Sequence, residues 1–198
     1  ESRLNVKIPD RQRMLDTLLQ KVQAPHEQSQ IHFIKGEDKS GKSYFLSTLY
    51  NALQLDGHSL LMLSKNSSHS HTKIPVFILA IRQQLDLLEK LDEKTKLLIE
   101  KRLVQANILI PQSIFYYFPS LEHYKKQLTI VDDWPNVKQE HFFSILAQLI
   151  NVFLQPTKPV TVLIDDWDKL DEDSFKFVTY LMQQKENYLF VVTNKTAR

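Results

Sequence analysis

Residues 31–46 read Ile-His-Phe-Ile-Lys-Gly-Glu-Asp-Lys-Ser-Gly-Lys-Ser-Tyr-Phe-Leu, and no other stretch limits the fold as tightly. The apolar run Ile31–Ile34 predicts a strand, Gly36 to Ser43 a loop, and the amphipathic run after it a helix. Four residues separate Gly36 from Gly41, and Lys42 and Ser43 follow at once. This is the complete G-x-x-x-x-G-K-[ST] phosphate-loop pattern, with the strand before it and the helix after it that the motif requires. The chain has three glycines and two stand here, where the backbone needs a positive φ or a close approach to a ligand. Backbone amides of the loop, through Asp38, Lys39, Ser40 and Gly41, are expected to converge on an anion together with the helix N-terminus. Lys42 is expected to reach the β and γ phosphates as a point charge, and the Ser43 hydroxyl to ligate Mg²⁺. A chance match in a solvated loop is the plainer alternative, and the correct flanks weigh against it.

The 198 residues suffice for one domain, taken as residues 1–198, with a sizeable core. A net charge of +2 is too small to argue for nucleic acid or an anionic membrane as partner. The absence of cysteine rules out a disulfide framework and a thiolate metal site and permits a reducing compartment, so a cytoplasmic location is expected. No apolar run reaches the roughly 18 residues of a membrane span. There is no signal-peptide pattern, and the first residue is Glu1 rather than Met, so the chain is expected to be a piece of a longer protein.

Taken in order, Asp10 is a candidate cap for a helix whose apolar face is Leu15, Leu18, Leu19 and Val22, ended by Pro25. The first strand, Ile31 to Lys35, is followed by a helix from about Gly41 to Leu53, a turn at Asp56-Gly57 and a second strand, Ser59 to Leu63. Residues 64–73 read as a polar loop. From Ile74 to about residue 128 the periodicity is helical, and residues 74–135 are read as a long helical insert. Phe77, Ile81, Leu85 and Leu88 mark its first helix; Leu97, Leu98, Ile99, Leu103 and Val104 mark a second, from about Glu93 to Asn107. Another helix is expected from about Val137 to Leu154. Val160 to Ile164 reads as a strand buried on both faces, Asp171 as the cap of a helix running to about Gln184, and Tyr188 to Val192 as a last strand. Alternating strands and helices predict an α/β fold with a parallel sheet and helical crossovers. A further strand and lid are expected beyond the last residue.

A second constellation ends the third of these strands. Val-Leu-Ile-Asp165-Asp166 delivers two acids at the C-terminal end of a buried strand, the edge at which open α/β sheets bind their ligands. Asp165 is the candidate for holding Mg²⁺ through a water, with Ser43 as the other metal residue, and Asp166 for orienting an attacking water. Capping of the next helix is the plainer reading of both. A calcium loop fails, because counting from Asp166 puts Asp171 where glycine is required and no Glu stands at the twelfth position. Thr193 and Asn194 follow the last strand, and Asn194 is a candidate for contact with the γ-phosphate or the lytic water, against an ordinary polar strand end. His69 and His71 lack a third metal ligand and read as a flexible loop. The cluster Phe115, Tyr116, Tyr117 and Phe118 reads as packing rather than a base-stacking platform, and Lys125 and Lys126 as a solvated face.

The order of these features resembles the AAA-type, STAND-related ATPase module of multidomain signalling proteins, including Ser/Thr kinase–histidine kinase hybrids and LuxR-type regulators. That family has a Gly-Arg-Glu near its start, and Asp10-Arg11-Gln12 stands there in this chain. Ile74-Pro75-Val76 stands at its Pro-Tyr, and Phe118-Pro119-Ser120-Leu121-Glu122 at its Pro-Glu-Leu. Asp165, Asp166, Asp171, Ser174 and Phe175 match its Asp-Asp-Leu-Gln-Trp-Ala-Asp-x-x-Ser-Leu. The resemblance implies an AAA-like phosphate-loop NTPase that takes ATP with Mg²⁺, with Arg11 among the nucleotide-contacting residues. It also implies ADP as product, other domains of the same polypeptide or further proteins as partners, and a nucleotide-dependent oligomer. Gln-Trp-Ala is replaced by Asp168-Lys169-Leu170, and the closing Tyr-Arg by Asn194-Lys195. Binding residues are therefore kept better than those expected near the γ-phosphate.

A physical reason also points to slow turnover. Asp166 stands where many hydrolysing relatives have Glu, and it is shorter by one C–C bond of about 1.5 Å. A misplacement of about 1 Å can cost on the order of 100-fold in rate. A slow site suits a switch, in which bound triphosphate biases one of two conformations. The expected function is thus an Mg-ATP-binding regulatory domain. Two alternatives are an origin-recognition-like DNA-loading ATPase, which the near-neutral charge disfavours, and an interaction scaffold that binds nucleotide without turnover.

Overall fold

The computed structural model describes residues 8–23, 29–64, 74–88, 90–132, 138–154, 160–184 and 188–195. The expected features at His69, His71 and residues 133–135 lie outside them. The chain divides into two compact units. One comprises Glu1–His69, Lys158–Leu170 and Gln184–Arg198; the other comprises Ser70–Thr157 and Asp171–Gln183.

The first unit is built on a parallel sheet. Its strands are β1 (Gln30–Gly36), β2 (Leu60–Leu63), β5 (Val160–Ile164) and β6 (Tyr188–Lys195), in the order β1-β6-β5-β2. The order explains the sequence patterns. β5 and the apolar part of β6 lie inside the sheet, and every residue from Val160 to Ile164 and from Tyr188 to Thr193 is buried. β1 lies at an edge among the described strands and alternates between half-buried and exposed, with Phe33 55% exposed. Continuous apolar runs belong to strands buried on both faces, and alternation to one-sided burial.

Two helices pack on one face of this sheet. They are α1 (Ile8–Gln23) and α2 (Lys42–Leu55). Leu18 and Val22 of α1 meet Phe45, Leu46, Leu49 and Leu53 of α2, over Leu60, Leu163, Leu189 and Val191 of the sheet. Each fully buried Leu or Val contributes about 1.5–3 kcal/mol relative to exposure, so this cluster fixes α2, and with it the loop that feeds α2. α1 begins at Ile8, two residues before Asp10. Asp10 therefore lies within the helix and is not its cap, a correction to the expected start. α2 ends as expected at Asp56-Gly57, where Gly57 takes φ 70° and His58 N–H returns to Leu53 O at 3.0 Å.

The second unit is mainly helical. It holds α3 (Val76–Leu88), α4 (Glu93–Ala106), the short α5 (Ile114–Tyr117), a 3-10 helix Pro119–Gln127, α6 (Gln139–Leu154) and α7 (Glu172–Met182). It also holds a two-stranded parallel sheet, β3 (Leu109–Pro111) with β4 (Thr129–Val131), where helical periodicity had been expected to continue. Phe77 of α3 stacks on Phe177 of α7 at 4.6 Å, and Phe143 of α6 meets both rings edge-on. The expected face Phe77, Ile81, Leu85 and Leu88 is buried. In α4 only Ile99 and Leu103 are buried, while Leu97, Leu98 and Val104 are exposed. Phe115 and Phe118 are buried as packing residues and Tyr116 is exposed. Lys125 pairs with Glu122 at 3.2 Å and lies over the Phe115 ring.

The start of α7 shows what the second half of the acidic signature does. Asp171 accepts the Ser174 N–H at 2.8 Å, as a helix N-cap does. Its other oxygen accepts the Ser174 hydroxyl at 2.6 Å and the Val76 N–H at 3.1 Å. The Ser174 oxygen in turn accepts the Phe77 N–H at 3.0 Å. Two residues thus satisfy N-terminal amides of both α7 and α3, groups that a helix cannot satisfy by itself.

Candidate functional site

The site lies in the first unit, where three neighbouring parallel strands end. β6 sits between β1 and β5, so Gly36 at the end of β1, Thr193 near the end of β6 and Asp165 just past β5 come to one edge of the sheet. Ligands of open α/β sheets bind at such carboxyl edges.

The loop is shaped by its glycines and by Arg11. Gly41 has φ 83°, a left-handed conformation that disfavours residues with a Cβ. A Cβ there would also meet the Arg11 guanidinium, which donates from Nη2 to Ser40 O at 2.5 Å. Arg11 thus braces the loop from outside. At Gly36 the one short contact of an added Cβ would be the Ser40 hydroxyl oxygen at 2.7 Å, a group that can rotate away. Lys39 also takes a positive φ of 62°, and Ser40 N–H closes a turn to Glu37 O at 3.2 Å.

α2 then begins with Gly41 as its N-cap and no side-chain cap. Lys42 folds back over the loop, with Nζ donating to Gly36 O at 2.8 Å and to Glu37 O at 2.7 Å. An ammonium has three donors, so one is left over from these two bonds.

Asp165 is the hub of the acidic side. It is 7% exposed, and its N–H is tied to Leu63 O of β2 at 2.9 Å. Ser43 Oγ donates to its Oδ1 at 3.0 Å, and Thr193 Oγ1 donates to the same oxygen at 2.9 Å. No described residue bonds the other oxygen, Oδ2. A buried carboxylate with unspent acceptor capacity, next to a serine hydroxyl, is the donor chemistry of a Mg²⁺ site completed by phosphate and water. Among the described residues no group of three or more His, Cys, Asp and Glu gathers to hold a metal.

Asp166 has a different setting from Asp165. Its backbone is left-handed, φ 55° and ψ 71°, held by an N–H bond to Thr193 Oγ1 at 2.8 Å. Its carboxylate is paired with Lys169 Nζ at 2.7 Å. Lys169 belongs to a single 3-10 turn, Trp167–Lys169. The hydrogen bond to Asp166 pushes its ammonium above the ordinary lysine value, with the charges of Asp166, Asp38 and Asp165 adding to it. On the loop, Asp38 pairs with Lys195 Nζ at 2.5 Å. That bond holds the Asp38 carboxyl below its ordinary value, with Lys169 and Lys42 contributing by charge.

The structure therefore gathers Gly36, Asp38, Lys39, Ser40, Gly41, Lys42, Ser43, Arg11, Asp165 and Asp166 at this edge. Asn194 is not bonded to this network. Thr193 holds the contact with Asp165, and side chains on a strand alternate between faces. The Asn194 Oδ1 is buried without a hydrogen-bond partner among the described residues. Spacing alone did not single out Lys169, and it left open which of Thr193 and Asn194 would face Asp165. Only the parallel register, which pairs Ile164 with Val192, sets Thr193 beside Asp165.

These elements define a phosphate-loop nucleotide-binding fold with an acidic strand beside the loop strand's neighbour. The chain belongs to the AAA ATPase domain family, whose model matches residues 7–192. It is accordingly a nucleotide-binding, ATPase-type domain, and its parallel sheet flanked by helices is the fold of that family. No curated protein matched the chain. Among the described residues no helix is long and apolar enough to cross a membrane.

Proposed function

We propose that this chain is an Mg-ATP-binding switch domain of a larger signalling or regulatory protein, with slow hydrolysis to ADP. In this reading residues 1–198 form one ATPase domain, residues 74–135 are an insert within it, and it works in the cytoplasm. Its partners are other domains of the same polypeptide or other proteins, joined in a nucleotide-dependent arrangement.

The observation that carries the proposal is the convergence of Ser43 and Asp165, 122 residues apart in sequence and 3.0 Å apart in space, at the foot of a helix whose N-terminus has no side-chain cap. The loop amides from Gly36 to Ser43 would hold the phosphates, with Arg11 bracing the loop. Lys42 would give its remaining donor to the β and γ phosphates. Ser43 and Asp165 would hold Mg²⁺, which neutralises charge developing on the phosphates. Asp166 would accept a hydrogen of the attacking water, and Asn194 remains a candidate for the γ-phosphate side. The pairing of Asp166 with Lys169 supports slow turnover. It also favours a second reading, a nucleotide-binding scaffold with no turnover, which Mg-dependent phosphate release would overturn.

Calorimetric titration of ATP into wild type and Lys42→Ala tests the proposal. A charge-assisted hydrogen bond is worth roughly 1.5–3 kcal/mol, which is about 10–100-fold in affinity. Unchanged affinity in the variant would mean that nucleotide binds elsewhere.

A further inference from the structure

Lys169 makes both of its short-range bonds to one residue. Its ammonium lies 2.7 Å from Asp166 Oδ2, and its backbone N–H donates to Asp166 O at 2.8 Å. Asp166 is fixed from the other side by its N–H bond to Thr193 Oγ1 at 2.8 Å. The three residues thus form a closed clasp around a left-handed backbone position. The pair is reachable by solvent, with the Lys169 side chain 58% and the Asp166 side chain 30% exposed. Lys169 occupies the position at which the resembled acidic pattern has Trp, a side chain that cannot form an ion pair.

We propose that Lys169 is a positioning residue that holds the Asp166 carboxylate away from the attacking water and thereby sets the slow turnover of this site. The inference rests on the water-orienting role proposed above for Asp166. A carboxylate helps a water attack by accepting its hydrogen through an oxygen lone pair. An ammonium bonded to Oδ2 takes one lone pair of that oxygen and ties the carboxylate to the rotamer that faces Lys169. A carboxylate tied to Lys169 is not free to turn toward a water, so the pair must loosen before Asp166 can serve one. Exposed ion pairs are weak and are screened by salt, so the clasp slows the site and does not abolish it.

The test uses the full 198-residue chain. Phosphate release is measured at saturating Mg-ATP for wild type, Lys169→Met, Lys169→Arg, Asp166→Asn and the double variant Asp166→Asn/Lys169→Met. The expected result is a rise in kcat of about twofold to fivefold for Lys169→Met, with KM for Mg-ATP changed less than about twofold. Lys169→Arg, which keeps the charge, returns turnover toward the slow rate, and the gain vanishes in the Asp166→Asn background. A readout without nucleotide accompanies the kinetics. The Lys169 ammonium signal in a proton–nitrogen NMR spectrum is retained by its acceptor in wild type and lost in Asp166→Asn. An unchanged or lower kcat in Lys169→Met, a gain that persists without the Asp166 carboxylate, or an ammonium signal indifferent to Asp166→Asn each overturns the clasp. Failure of wild type to bind Mg-ATP overturns the site and the clasp together, whereas binding with no Lys169 effect overturns the clasp alone.

Discussion

Helix α2 starts at Gly41, which offers no side chain to its first turn. Helix α7 starts at Asp171, whose carboxylate and Ser174 partner serve the first turns of two helices at once. At α7 both carboxylate oxygens of Asp171 and the Ser174 hydroxyl are engaged. Around α2 capacity remains: the third donor of Lys42, the Oδ2 of Asp165, and first-turn amides with no side-chain cap. The contrast runs through the acidic signature itself. Asp165 belongs to the under-satisfied group, while Asp171 and Ser174, only a few residues on, are structural. Resemblance in sequence joins these residues into one motif, and hydrogen bonding separates them into two tasks.

Substitutions at the two helix starts should therefore fail in different ways. The largest effect on stability is expected for Asp171→Ala, which removes the cap of α7 and strands the Val76 N–H. A lost cap and a stranded donor together cost about 2–4 kcal/mol, read as a lowered urea midpoint at unchanged slope. A loss below about 0.5 kcal/mol would break the comparison. Gly41→Ala comes next. The left-handed backbone costs roughly 1–2 kcal/mol with a Cβ, and the Arg11 contact adds to it, so loop geometry and nucleotide affinity should both suffer. Gly36→Ala, whose one short contact is a rotatable hydroxyl, should lose less affinity. The reverse order in calorimetry would show that the loop is shaped otherwise.

The smallest effect concerns acid stability. Asp92 caps α4 by accepting Thr95 N–H at 2.9 Å, and this bond, with that of the Thr95 hydroxyl, holds its carboxyl below the ordinary value. A carboxylate depressed in the folded state stabilises the fold above its unfolded-state pKa, and that contribution is lost as pH falls through the folded one. Asp92→Asn should flatten the fall in Tm below about pH 4 and leave the neutral value nearly unchanged. An identical acid limb would remove the cap from the account.

Much of this was legible in the sequence, for physical reasons. β5 and β6 are interior strands, and their unbroken apolar runs announced them. The loop was readable because its glycines and Lys42-Ser43 are fixed in spacing by the phosphate geometry they serve. β3 and β4 were not readable. They are three residues each, one ends in Pro111, and so short a run carries no period. α4 misled through Leu97, Leu98 and Val104, which look like a core face and are exposed. Asp10 looked like a cap because its residue type suits one, yet α1 starts earlier. In the site, local spacing could not reveal that Lys169 would turn back on Asp166, nor that Thr193 rather than Asn194 would face Asp165. The first depends on a left-handed residue, and the second on register between strands far apart in sequence.

The central claim is that Asp165 and Ser43 form the metal half of a nucleotide site whose other half is the Gly36–Ser43 loop. Calorimetric titration of ATP with and without Mg²⁺, in wild type and Asp165→Asn, addresses it directly. Asn keeps a carbonyl oxygen for the Ser43 and Thr193 hydroxyls, so the fold should survive while the charge and the Oδ2 acceptor are lost. The account predicts that Mg²⁺ strengthens ATP binding to wild type and has at most a small effect on Asp165→Asn, with similar affinities for the two proteins in its absence. Equal strengthening by Mg²⁺ in both proteins would contradict it.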